Sequence, residues 1–354
     1  MRISVISYHS SPMEPVGSGS SGGMTVFLSN LYRRLGRYSK IDIFTVGKED
    51  YKNIGPARVI FINNEDLGKF TEKVLSYHNI LKYDLVHTHY WLSGIIGLKI
   101  SRILNIPWIH SFHTVEFLKG IIGDRERIEV EDDIIKYTDF IISPTDMEAE
   151  SINRRFRDAK IITIPHGVDI RNFKSNGNGN SNLLFVGRIA PIKGLDVLIN
   201  ALKYVKGKFT LNIIGGISKR KDYFNSIKSN SERFDVNFIG TVPHGKLFHY
   251  YNDSSMVIVP SYYESFGLVG LESMVSSKPV IGLNDTGLIE TVGNDAGILI
   301  KRDEKTLAKA IDYLIENKSF RYRLGVNGRR KALKYRWSNI VRRYLNIYEK
   351  IIKN

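Results

Sequence analysis

Residues 174–188 read KSNGNGNSNLLFVGR, and the reading of the whole chain turns on them. The first nine are Gly, Asn and Ser behind one Lys. They offer no apolar face to bury, so they read as a linker. LLFV then has the composition of a short buried strand, which Gly187-Arg188 ends. Before the linker, β-rich runs at 3–7, 41–46, 84–87, 108–111, 140–143 and 161–164 alternate with helical periods such as 25–37 and 69–81. After it the alternation restarts, at 183–186, 210–214, 236–239, 256–259, 279–281 and 297–300. Strands that alternate with helices pair in parallel through right-handed crossovers. Two such series predict an α/β protein of two Rossmann-like, doubly wound domains facing a central cleft. The expected boundaries are 1–170 and 171–335, with a terminal helix at 336–354.

The 354-residue chain is 42% hydrophobic and 25% charged, the balance of a folded protein rather than a disordered one. It contains no Cys, which excludes disulfides, thiolate–zinc sites and thiol nucleophiles. The opening apolar run is too short for a secretory leader, and nothing reaches the roughly 18 apolar residues of a membrane span. A cytoplasmic protein is expected, with peripheral attachment to a membrane left open. The net charge of +15 at pH 7 points to a phosphate-rich partner. Residues 318–354 hold twelve Lys/Arg against one Glu and so carry most of that excess. Among those charges stand Trp337, Ile340, Tyr344, Leu345 and Tyr348, the pattern of an amphipathic helix. Its apolar side is expected to pack on protein, while its basic side keeps membrane contact in play. RNP, KH and zinc-finger signatures are absent, so no nucleic acid is expected.

Gly17, Gly19 and Gly22 spell the dinucleotide fingerprint G-x-G-x-x-G, but the first comes nine residues after the strand it should follow directly. A long loop is the better reading. It ends in Gly22-Gly23 and leads into a helix start at Thr25 that attracts phosphate. The stronger chemistry lies in the second half. Arg188 at a strand end and Lys193 five residues on place a guanidinium fork and an ammonium where doubly wound sheets bind ligands. The pair suits a diphosphate. In VPSYYESFGLVGLESM (259–274), Glu264 and Glu272 lie eight residues apart, with Ser265, Phe266 and Gly267 opening a helix. Free N–H groups at that start favour phosphate. Glu272, about two turns further on nearly the same face, suits ribose hydroxyls.

These residues carry a resemblance. The Glu264/Glu272 spacing and GRIAPIKG (187–194) resemble the retaining glycosyltransferases of family GT4, which have the GT-B fold. HGVDIRNF (166–173) looks like that family's interdomain signature. The resemblance implies a nucleotide-diphosphate sugar, a UDP-sugar above all, as glycosyl donor. Arg188 and Lys193 hold its diphosphate, Glu264 faces its sugar and Glu272 its ribose. Gly22, Gly23, Ser265, Phe266, Gly267 and Leu268 complete that site. The C-terminal helix is implied to cross back onto the first domain. HSSPMEPVGSGSSGGMTVF (9–27), HTHYWLSG (87–94) and PWIHSFHT (107–114) are similar to D-inositol-3-phosphate glycosyltransferases and, more weakly, to sucrose-phosphate-synthase-type enzymes. By that likeness Lys69, Tyr90, Thr114 and Arg127 hold an acceptor phosphate. His9 and the loop to Thr25 meet the acceptor's sugar alcohol, and His113 lies against the transferred sugar. The expected function is retaining transfer to a hydroxyl of a small phosphorylated acceptor, such as a polyol or sugar phosphate. A lipid or lipid-linked glycan acceptor at a membrane face is the alternative.

Departures from the family sharpen the expectation. Ser20 and Thr25 stand where the family has Asp and Asn, so the contacts to acceptor hydroxyls differ. At the family's metal position Asn252 and Lys278 replace Arg and Thr, and a lysine repels a cation. No required metal and no other cofactor are expected. The pairs His87/His89 and His110/His113 lack the acidic company of a zinc site. His87 and His110 read as core residues, His166 and His244 as loop residues without a special role. Double displacement needs a carboxylate nucleophile. The first domain's cleft motifs offer only Glu116, a position the family does not use. The resemblance therefore implies front-face internal return, in which the leaving diphosphate deprotonates the acceptor. Arg188, Lys193, Glu264 and His113 are then the catalytic set. A nucleotide-sugar epimerase on the same fold would need no acceptor-binding residues.

Overall fold

Runs such as RISVI (Arg2–Ile6) form strands because their branched side chains can be buried on both faces of a sheet. The structure, a computed structural model, describes residues 1–14, 22–63, 66–170, 182–218 and 220–353. The linker segment 174–181, Gly17, Gly19 and Ser20 lie outside the described residues.

One sheet contains β1 (Arg2–Ile6), β2 (Lys40–Val46), β3 (Tyr51–Ile54), β4 (Ala57–Ile62), β5 (Leu85–His89), β6 (Trp108–Ser111), β7 (Phe140–Ser143) and β8 (Ile161–Thr163), in the order β3-β4-β2-β1-β5-β6-β7-β8. The other contains β9 (Asn182–Val186), β10 (Thr210–Ile214), β11 (Val236–Gly240), β12 (Met256–Val259), β13 (Val280–Leu283) and β14 (Gly297–Ile300), in the order β11-β10-β9-β12-β13-β14. Neighbours pair in parallel except β3 and β4, which form an antiparallel hairpin. That hairpin is absent from the sequence reading. Tyr51, Lys52 and Asn53 are exposed, so β3 shows no apolar pattern. Its only sequence signal is the Gly55-Pro56 turn, where Gly55 adopts φ 62°.

The helices are α1 (Gly23–Leu35), α2 (Leu67–Leu81), α3 (Trp91–Leu104), α4 (Arg125–Tyr137), α5 (Asp146–Arg155), α6 (Leu195–Leu202), α7 (Lys221–Ser231), α8 (Leu247–Asp253), α9 (Leu268–Val275), α10 (Leu288–Thr291), α11 (Gly293–Ala296), α12 (Glu304–Glu316), α13 (Lys318–Ala332) and α14 (Trp337–Lys353). α1 starts two residues before the expected Thr25, so Gly23 and Thr25 belong to its first turn, not to a preceding loop. Helices cover both faces of each sheet. In the first, α1 and α14 pack with Ile3, Val5, Ile41 and Ile43, while α2 to α5 pack with Ile6, Phe44, Val86 and Trp108. In the second, α6 and α12 bury one face, and α8 to α11 the other.

Contacts divide the chain into two compact units. One comprises Met1–Glu14, Gly23–Gly167 and Trp337–Asn354; the other is built on Val168–Arg336. The basic terminal helix α14 thus belongs to the first unit. It buries Trp337, Ile340, Val341, Tyr344, Tyr348 and Ile351 and turns Arg342, Arg343, Lys350 and Lys353 to solvent. Among the described residues no helix is long and apolar enough to cross a membrane.

Trp337 is the anchor of α14. Its indole lies so close to Gly167 that a Cβ there would come within 2.4 Å of the ring. Arg34 covers the ring at 5.5 Å. Trp337→Ala is expected to lower unfolding free energy by about 3–5 kcal/mol, read from the urea midpoint.

Candidate active site

Each sheet has one point at which the direction of its crossovers reverses. Crossovers leave in opposite directions from β9 and β12 in the second sheet, and from β1 and β5 in the first. The loops at the carboxyl ends of such strands diverge and leave a crevice for ligands.

In the second unit, glycines let those loops close on one another. Gly187 donates its N–H to the Ile214 carbonyl at 2.9 Å. Gly194, at φ 65°, approaches the loop after β12 so closely that a Cβ would lie 2.0 Å from the Pro260 carbonyl oxygen. Only glycine fits there. The approach joins Lys193 to Glu264. The ammonium donates to Glu264 Oε1, which also accepts from Ser261 Oγ at 3.0 Å. Arg188, at the end of β9, is exposed, and among the described residues nothing bonds or ion-pairs with its side chain.

Glu264 and Glu272 do not share a helical face, contrary to the reading of their spacing. Gly267, at φ 85°, is the N-cap, so the helix begins only at Leu268 and Glu264 stays in the loop. Phe266 turns its ring into the core, and its carbonyl accepts from Thr291 Oγ1 at 2.6 Å. No side chain caps the start of α9, which leaves N–H groups at its first turn. Glu272 sits in the second turn with both oxygens engaged. Oε1 pairs with His244 Nε2 at 2.6 Å and Oε2 accepts from Tyr251 Oη at 2.7 Å. Burial pulls the His244 imidazole down, but the carboxylate beside it pulls it up further, and its pKa is raised. His244 therefore has a partner in the predicted site, which corrects its reading as an idle loop residue. Burial first, and then Glu272, push the Tyr251 hydroxyl well up.

In the first unit, His9 lies exposed and stacks on Tyr90 with centroids 5.0 Å apart. Tyr90 at φ 72° and His113 at φ 62° adopt a left-handed backbone just after β5 and β6. Such strain in non-glycine residues collects at functional sites. Arg127, in the first turn of α4, gathers Tyr90 and Thr114. Its Nε and both terminal nitrogens are engaged. The Nε–H donates to Glu131 Oε1 at 2.7 Å, and one terminal nitrogen donates to Tyr90 Oη at 2.8 Å and forms an ion pair with Glu116 Oε2 at 2.7 Å. The other donates to the Thr114 carbonyl at 2.9 Å and hydroxyl at 3.1 Å. Lys119 also reaches Glu116 Oε2, at 2.6 Å. Burial pushes the Glu131 carboxyl up against the opposing pull of Arg127.

Three of the four expected phosphate ligands thus meet. Lys69 is exposed in the first turn of α2, and its side chain does not join them. Thr25 is buried, and among the described residues its hydroxyl has no hydrogen-bond partner. Sequence reasoning missed Glu131 and Tyr251 beside the candidate site, read His244 as an idle loop residue, and set Glu116 aside. Only Arg127/Glu131, at i,i+4 on a helix, left a signal.

The chain as a whole is similar to known proteins. Residues 21–172 match the family described as Glycosyltransferase Family 4, and residues 169–331 match Glycosyl transferases group 1. The D-inositol 3-phosphate glycosyltransferase of Thermobifida fusca is 30% identical, over 98% of this chain and 93% of its own. This chain belongs to the family 4 glycosyltransferases. Sucrose-phosphate synthase from Thermosynechococcus elongatus is similar in structure, with a TM-score of 0.92 at 26% identity over 99% of both chains. Anabaena HepE in complex with UDP-glucose shares the fold, with a TM-score of 0.84 at 18% identity over 99% of this chain and all of that one.

In this glycosyltransferase the metal position implied by the resemblance holds a buried Lys278, a poor neighbour for a cation. Desolvation lowers the pKa of that ammonium. The histidines of the first unit form a bonded chain instead. His87 Nδ1 meets Tyr348 Oη at 2.5 Å and its Nε2 meets Ser111 Oγ at 3.0 Å. Tyr32 Oη meets His89 Nε2 at 2.5 Å, and His89 Nδ1 meets His113 Nε2 at 2.9 Å. His87 and His110 are core residues as expected, although His110 Nε2 is left without a partner. His166 lies in a loop, as expected, and is buried against Phe27, with ring centroids 4.5 Å apart.

Burial holds His87 and His166 at about 3 and His78 at about 4, below their ordinary 6.5. With folded values depressed, their stabilising effect is present above pH 6.5 and lost as pH falls toward those values, because the unfolded chain takes up the protons. Urea midpoints should therefore fall steadily below pH 6.5. His78→Leu, which breaks no bond at the unpartnered Nε2, should flatten that slope. A midpoint flat through this range contradicts the assignment.

Proposed function

We propose that this glycosyltransferase transfers a sugar, with retention at the anomeric carbon, from a UDP-sugar to a hydroxyl of a small phosphorylated acceptor such as a polyol or sugar phosphate. The observation that carries the reading is the Lys193–Glu264 pair at the second sheet's crevice, with the exposed Arg188 guanidinium at the end of β9. Ammonium and guanidinium suit a diphosphate, and the carboxylate suits a sugar hydroxyl. N–H groups at the start of α9 add partial positive charge. Glu272 takes the ribose hydroxyls in exchange for one of its present partners. The acceptor half rests on the Tyr90–Thr114–Arg127 cluster and on two similar proteins whose names carry a phosphorylated polyol or sugar.

In the proposed step, the bond from the anomeric carbon to the diphosphate oxygen breaks and the diphosphate keeps both electrons. The acceptor oxygen bonds to the same face of that carbon, and its proton passes to the departing diphosphate oxygen. Arg188 and Lys193 stabilise the charge as it develops, the largest expected contribution. His113 and Glu264 orient the transferred sugar. Glu116 and Glu131, buried against Arg127, are not available as nucleophiles. The reading requires no metal. It places the enzyme in the cytoplasm, with membrane contact through α14 playing no part in the reaction.

Arg188→Ala and Lys193→Ala should each lower kcat by about 10²-fold or more, with unfolding midpoints unchanged. Wild-type turnover in both variants overturns the site. Proton NMR of the first-formed product should show the anomeric configuration of the starting UDP-sugar, and an inverted product rejects internal return.

A further inference from the structure

Arg127 is where the acceptor's phosphate is proposed to rest, yet all three of its side-chain nitrogens already donate within the protein, and it is ion-paired with Glu116. Four charges meet there: Arg127 and Lys119 against Glu116 and Glu131. The cluster is neutral, so it offers an incoming dianion little net attraction.

The two carboxylates differ in what holds them. Glu131 lies on the same helix as Arg127, binds the inner Nε and is wholly buried. Its second oxygen accepts the Glu116 backbone N–H at 2.6 Å. It is part of the scaffold. Glu116 instead presents one oxygen, Oε2, to both cations at 2.7 and 2.6 Å, the coordination of a small anion. Its other oxygen accepts the Asp124 N–H at 3.1 Å. It stands at the head of a short 3-10 segment, Glu116–Ile122, whose turn is broken at Gly120 (φ 65°, ψ −134°). That segment belongs to no strand, so its movement leaves the sheet intact.

We propose that Glu116 is a specificity-determining residue, a resident anion that competes with the acceptor's phosphate for Arg127 and Lys119. The proposal rests on the phosphorylated-acceptor reading. Tethering gives the Glu116 carboxylate a high effective concentration at the two cations. A phosphate must displace it, whereas an uncharged acceptor need not. Glu116 thereby sets how strongly phosphorylated acceptors are preferred over neutral ones. Removing its charge leaves the cluster with one excess positive charge and nothing to displace.

The test is a calorimetric titration of inorganic phosphate into the full chain. E116Q keeps the side chain's shape and an oxygen for Asp124, and should bind phosphate at least about tenfold tighter than wild type, or about 1.4 kcal/mol. E116D, which keeps the charge, should stay near wild type. Arg127→Ala in the E116Q background should abolish the gain, which locates it away from Arg188 and Lys193. Hydrogen exchange supplies a readout on wild type that does not depend on any variant folding. Saturating phosphate should speed exchange at the Asp124 amide as Glu116 departs. Unchanged or weaker phosphate affinity in folded E116Q, a gain that survives loss of Arg127, or an Asp124 amide equally protected with phosphate overturns the proposal. If E116Q gains phosphate but neither protein glycosylates any phosphorylated polyol, the acceptor reading fails and the role of Glu116 stands.

Discussion

A polar group taken out of water must find its partner inside the protein, and that requirement governs what this enzyme's site residues can do. The histidine chain of the first unit shows it. Burial keeps His87, His89 and His113 neutral, so each ring carries one N–H and one lone pair. When Tyr348 gives its proton to His87 Nδ1, that lone pair is used and Tyr32 is left to donate to His89 Nε2. His89 must then carry its proton on Nδ1 and donate to His113 Nε2. His113 is left protonated on Nδ1. Reversing the Tyr32–His89 bond reverses the His89–His113 bond. A tyrosine on the last helix and a histidine assigned to the site are thus bound into one arrangement, which gives the terminal helix a reason to be buried beyond its apolar stripe.

The same requirement separates two arginines. Arg188 stands exposed at a strand end, and among the described residues nothing binds its fork. Arg127 is buried, donates to Tyr90, Thr114 and Glu131, and is ion-paired with Glu116. Lys193 lies between these extremes, with one carboxylate partner in a half-buried setting. Glu272 is the acidic counterpart of Arg127, with both oxygens held. On the proposed reading, the residues assigned to the diphosphate take a ligand by adding bonds, while those assigned to the ribose and the acceptor phosphate must exchange them. Exchange cuts affinity but raises selectivity, because a ligand lacking the right group leaves a buried partner unsatisfied.

What the sequence showed of this follows from how local each signal is. LLFV and MVIV announce buried parallel strands because every residue is apolar, and the order of strands and helices then dictates two doubly wound sheets. Arg188, Lys193 and Glu264 were legible because glycines and strand ends mark their loops. β3 was not, since three of its four residues face solvent and its pairing is decided by β4. Nor was His244, which lies 28 residues from the Glu272 it binds, with no spacing rule to connect them. Arg127 was placed by its surroundings in sequence, but its engagement also depends on Glu116 and Thr114, which reach it from outside its own helix.

Backbone strain is distributed in the same unequal way. At Gly194 the neighbouring Pro260 carbonyl leaves no room for a Cβ, so glycine is the only solution and no side chain can act there. At Tyr90 and His113 the backbone also turns left-handed, but each position carries a side chain with work to do: one on Arg127 and His9, the other on His89. Each such residue costs of order 1–3 kcal/mol and persists only where its surroundings over-determine it. Here the Tyr90 N–H is fixed to the Ser111 carbonyl at 2.9 Å, and His113 is fixed through His89 to Tyr32. Two adjacent strand ends thus hold two strained residues, and a glycine at either position would relieve the strain only by removing the side chain that makes these contacts.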